Sequence, residues 1–235
     1  MSTQDTAALI ESVNKMTDTV AGKIGEIDSR TAENTEKVDL ELARIQTKLP
    51  RIVITRNQVL DLDSETALPL GMSINSAVDV SLYLSVTSFN VKSAEQNELL
   101  AEFSSDMGVL FNKTAYYRRG FNVLKMSWST KPSWLAFPHA ADDPELNSIP
   151  VNTFLTLGAF VKVLSGSLSG SWANGNQLGK WVFCNSKMSP SGFGSYANLH
   201  PIPTSDTGEI LVALPAAITG YIDSPLQWFP NVNLG

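Results

Sequence analysis

At 235 residues, with a net charge of −6 and no basic run longer than Arg118-Arg119, the chain carries no electrostatic footprint for nucleic acid as its main partner. It has no stretch of 18 uncharged apolar residues, so no membrane-inserted helix is expected, and its one cysteine excludes an intrachain disulfide. Charge is unevenly spread: fifteen charged side chains fall within residues 1–50, while the other twenty-five share the remaining residues with all the aromatics.

The N-terminus is polar (Ser2, Thr3, Gln4, Asp5), with no basic region leading into an apolar run, so no secretory signal is expected. From Ile10 the positions Val13, Thr17, Val20, Ile24, Ile27, Thr31, Asn34 and Val38 follow the alternating three-and-four spacing of a coiled-coil seam. Leu42, Ile45 and Leu49 continue it after two successive fours, a stutter that locally unwinds a supercoil. Pro50 ends the helix, because its ring and missing N–H cannot continue the hydrogen-bond ladder.

A stripe of that length, roughly 60 Å at 1.5 Å per residue, needs partner chains. Thr17, Thr31 and Asn34 put polar groups in the seam, and Gly22 and Gly25 lower helix propensity by roughly 1 kcal/mol each, so the rod is not expected to be stable alone. Isoleucine at both kinds of seam position, Ile24 and Ile27, leans away from dimers. The expectation is a parallel homotrimer, with a dimer as the alternative, over residues 1–50.

Past Arg51 the period falls from 3.6 to 2. From Ala77 to Val86 the residues Val78, Val80, Leu82, Leu84 and Val86 alternate with Asp79, Ser81, Tyr83 and Ser85, which predicts a half-buried strand with one apolar face. Further strands are predicted over 51–55, 59–62, 99–103, 109–112, 121–128, 153–164, 178–184, 209–214 and 218–222, separated by turn signals such as Asn174-Gly175-Asn176. The run Ser165 to Ser171 has linker composition but strand-like neighbours, and reads as a hairpin tip or small-residue strand within one domain. The fold class expected is mainly β with an N-terminal α-helical coiled coil: residues 51–235 form an antiparallel β-sandwich or jelly-roll-like globule.

Chemistry is sparse. The glycines of Gly192-Phe193-Gly194-Ser195-Tyr196-Ala197 are followed by Asn198-Leu199-His200-Pro201 rather than a helix, so they carry no dinucleotide fingerprint. His139 with Asp142, Asp143 and Glu145 reads as a solvated acidic turn rather than a cation site, and His200 has no neighbouring zinc-type ligand. Cys184, in the apolar context Trp181-Val182-Phe183, reads as a core thiol. No nucleophile elbow or distinctive carboxylate pair is visible, so no catalytic residue, metal or cofactor is expected, and the chain is read as a non-enzyme. Tyr116, Tyr117 and Arg118 are candidate ligand contacts. So is Trp172, whose Ser/Gly/Asn-rich surroundings suggest an exposed ring; the other tryptophans are expected in the core or an interface.

The stalk from Ile10 to Leu49, its terminating Pro50 and the Gly/Ser/Asn/Trp-rich β region from Val151 to Tyr221 together resemble the fibre and appendage proteins on tailed-bacteriophage virions. The likeness is one of architecture along the whole chain, not of a sequence motif. It implies a homotrimeric structural protein, assembled in the host cytoplasm and located on the virion, docked on capsid, neck or tail proteins. Possible placements are a short tail fibre, a head fibre or a baseplate component. An alternative of another class is a tip that binds or depolymerises host surface polysaccharide, and a third is an oligomeric cytosolic scaffold.

Overall fold

The change of composition near residue 50 coincides with a division of the computed structural model into two units, Met1–Leu49 and Pro50–Gly235. The structure describes residues 3–48, 51–88, 91–111, 119–140, 148–197, 200–229 and 232–233. Leu49 and Pro50 lie outside them.

The first unit is one α-helix, α1 (Thr3–Lys48). Its threonines do not break it, because Thr17, Thr19 and Thr35 turn their hydroxyls back onto the carbonyls of Val13, Lys15 and Thr31 at 2.8–2.9 Å. Glu26 bridges Lys23 and Arg30 on the outer surface, at 2.6 and 2.7 Å. Such exposed pairs add only about 0.3–0.5 kcal/mol each, far short of what two internal glycines remove.

The second unit is mainly β. Its largest element is a seven-stranded sheet centred on β12 (Gly208–Thr219). One edge of β12 pairs antiparallel with β7 (Leu155–Ser165) along nearly its whole length, and β7 pairs in turn with β9 (Trp181–Met188). The other edge pairs first with β4 (Phe121–Trp128), which carries β3 (Asp79–Val86), then with β1 (Ile52–Val53). β13 (Val232–Asn233) joins β1 in parallel, so the sheet is antiparallel except at this margin.

Both faces of this sheet are buried, which explains why β7 and β12 read as continuous apolar runs instead of alternating ones. On one face Val123, Phe160, Trp181 and Leu211 pack beneath a helix, α2 (Ala94–Met107), through Leu99, Leu100 and Phe103. On the other, Leu124, Met126, Val161, Ile210 and Val212 pack against Leu135, Ile149 and Trp172. That second cover comes from loops and three two-stranded antiparallel ladders: β2 (Met72–Ile74) with β5 (Ala136–Pro138), β6 (Ile149–Pro150) with β10 (Tyr196–Ala197), and β8 (Leu168–Ser169) with β11 (Ile202–Pro203).

Several expectations change. Residues 99–103 are helical, not extended. Ser93 caps α2, accepting from the Gln96 amide while the Gln96 side chain accepts from the Ser93 amide, and Gly108 closes it in the left-handed region at φ 65°. Residues 59–62 form a turn and an isolated bridge, Leu62 to Pro69, and 109–111 form no strand. Residues 209–214 and 218–222 were expected as two strands, but Gly208–Thr219 is one. A bulge between Ala213 and Ala216 absorbs Pro215, which has no N–H for a ladder, and leaves Leu214 at φ 54°. In β3 a second bulge, between Leu82 and Leu84, switches faces: Val78 and Val80 join the cluster of Leu124, whereas Leu84 and Val86 join that of Val123. The predicted single apolar face is therefore split. Within 165–171, Gly166 takes φ 75° and Leu168–Ser169 form β8, joining the small-residue strand and turn readings in one segment.

Candidate oligomerisation surface

Along α1 the apolar seam residues Ile10, Val13, Val20, Ile24, Ile27, Val38, Leu42 and Ile45 are each between 49% and 60% exposed. Thr17, Thr31 and Asn34 lie bare between them. Leu9 and Met16, one position before Ile10 and Thr17, are 60% and 66% exposed and widen the stripe at its N-terminal end. Covering the bare half of each such side chain is worth about half of the usual 1.5–3 kcal/mol for full burial. Eight of them per chain make an unpartnered stripe costly in water, and a stripe of this period has the spacing that other helices of the same period can cover.

The flanks are charged in a specific order. Lys23, Arg30 and Lys37 stand immediately before Ile24, Thr31 and Val38, and Asp28 immediately after Ile27. Gly22 and Gly25 point away from the seam into open space. The arrangement can associate helices; it contains no reactive group.

In the β unit the residues singled out for ligand contact divide. Tyr116, Tyr117 and Arg118 lie outside the described residues, as do Asp142, Asp143 and Glu145. Trp172 is corrected: it is fully buried, and its indole Nε1 donates to the Ala136 carbonyl at 3.0 Å. Its polar neighbours in sequence form a 3-10 turn, Ser171–Ala173, whose ring side is roofed by a ladder drawn from a distant stretch of chain. Trp128, Trp181 and Trp228 are buried as well, while Trp134 is half-exposed. Cys184 is buried, and burial pushes its thiol up to about 12, which makes it inert.

Both histidines of the chain lie in one half-exposed ring cluster. His200 sits 6.0 Å from Trp134 and 6.2 Å from Phe137, His139 sits 5.7 Å from Phe137, and the His139 Nε2 meets the Ser73 Oγ at 2.7 Å. Burial holds both imidazoles below their ordinary value. The folded β unit therefore binds fewer protons than the unfolded chain around pH 6, and its stability falls as the pH falls through about 6.5, the ordinary histidine value. Urea midpoints of the full-length protein are expected to be flat from pH 8 to 7 and to drop from pH 6.5 to 5.5. Replacing both histidines by glutamine should flatten that drop; an unchanged slope would assign it to other groups.

No protein-family model matches this sequence, and no curated protein matches it.

Proposed function

We propose that this chain is a structural protein of a tailed-phage virion: a homotrimeric fibre or appendage whose N-terminal helix is a coiled-coil stalk, docked on capsid, neck or tail. The observation that carries the reading is the bare seam of α1, eight apolar side chains repeating at coiled-coil spacing with no cover from their own unit. Isoleucine at both seam positions and the widening by Leu9 and Met16 favour three strands over two.

The β unit serves as the head. The three two-stranded ladders facing the large sheet are read as a broken second layer of a sandwich, closing the core between them. A second reading, contact with host surface polysaccharide, rests on a groove of about 540 Å³ lined by Ser189, Ser191, Ser195 and Tyr196, a hydroxyl-rich wall with an exposed ring.

The test is solution mass. Full-length protein is expected to scatter light at three times its 25.5 kDa chain mass, and residues 51–235 at a lower multiple. A compact full-length monomer would overturn the reading.

A further inference from the structure

We infer that the stalk helices assemble parallel and in one fixed register, with orientation set by the charged flanks of the seam and register set by Asn34. This rests on the stalk reading above and says how the second copy must lie. Two separate observations support it.

The first is the sign of the flanks. In a parallel coiled coil the residue before one seam position faces, on the neighbouring chain, the residue five places further on. Lys23 then meets Asp28 of its neighbour, and Arg30 meets the neutral Thr35. In an antiparallel pair the same flank of each helix meets itself, and Lys23, Arg30 and Lys37 of one chain run against Lys37, Arg30 and Lys23 of the other. Like charges along a seam disfavour that orientation by repulsion. Glu26 holds Lys23 and Arg30 within the single helix, at 2.6 and 2.7 Å, but it stands on the outer surface and leaves the seam-side order unchanged.

Charge alone does not fix register, because a slip of one heptad would replace the Lys23–Asp28 pair by Arg30–Asp28. Asn34 does. The seam threonine Thr17 already donates its hydroxyl to the Val13 carbonyl, so burying it orphans nothing. Among the described residues the Asn34 amide meets no partner in its own chain. Once the seam closes, water leaves, and an unpaired amide there is costly. The group that can both donate and accept in the same layer is the amide of the neighbouring copies, which meets it only when the helices are parallel and unslipped; the Thr31 hydroxyl stands one layer away. One heptad of slip would press Asn34 against Ile27 instead.

The test uses full-length protein carrying Val13→Cys, far from the seam centre. Cys184 is buried and does not compete. Air oxidation is expected to link two of the three chains of each trimer, since like seam positions meet only in parallel register. Adding Asn34→Leu should raise the melting temperature of the assembly and lower the cross-linked yield at Val13→Cys at least two-fold, because the register is then no longer unique. Lys23→Glu and Asp28→Lys should each lower the melting temperature by several degrees, and the double reversal should recover most of the loss. A trimeric mass without the cross-link overturns this inference and leaves the stalk reading standing. So does a double reversal whose losses merely add, or an unchanged cross-linked yield with Asn34→Leu. A monomeric mass for the unmodified chain overturns both.

Discussion

Replacing Ile24 and Ile27 together by aspartate is expected to turn the assembled full-length protein into a single chain of 25.5 kDa by light scattering, with the near-ultraviolet signal of the β unit unchanged. In a trimer the two substitutions place six carboxyl groups where six isoleucines met. Losing that burial removes roughly 5–9 kcal/mol, since each half-bare isoleucine gains about half of the usual 1.5–3 kcal/mol on being covered. The carboxylates add repulsion and desolvation, which they relieve only by taking up protons. The same two charges at Thr19 and Gly22, on the outer side of α1, are expected to leave the mass unchanged. If the seam variant kept its mass, the interface would lie elsewhere.

The second large effect is in the head. Trp172→Ala is expected to cost about 3–5 kcal/mol in chemical denaturation of the β unit, because it empties a fully buried site in the core under the ladders. Trp172→Phe keeps most of the apolar volume but strands the Ala136 carbonyl, and should cost about 1–3 kcal/mol. A Trp172→Ala protein as stable as the parent would return this ring to the surface role its sequence context suggests.

That context shows where reading from sequence runs out. The helix from Thr3 to Lys48 and the strand Phe121–Trp128 were legible because a period of 3.6 or 2 is written locally, residue after residue. Trp172 was misread because what buries it comes from residues 135–136, well away in the chain, which no local window contains. The helix α2 was missed for a different reason. Only Leu99, Leu100 and Phe103 anchor it, too few to establish a period, and the usable signal was chemical: Ser93 with Gln96 at the start and Gly108 at the end. The strand Gly208–Thr219 was read as two, on either side of Pro215. A proline argues against a central strand unless a bulge receives it, and a bulge leaves almost no mark in composition. For the candidate surface, the spacing of the seam was legible in the sequence, and the structure added the exposure of its apolar residues and, among the described residues, an Asn34 amide with no partner in its own chain.

The central place of β12 also orders events during synthesis. Gly208–Thr219 pairs with strands that begin as early as Ile52, so the sheet has no middle until nearly the whole chain has left the ribosome. The helix Thr3–Lys48 is complete about 170 residues sooner, a lead of roughly 10–30 s at about 5–20 residues per second. During that interval nascent chains on neighbouring ribosomes of one message display finished helices and unfinished β units. In the trimer proposed above, assembly would begin in cis, between siblings still being translated, and a head would fold with its partners already tethered beside it.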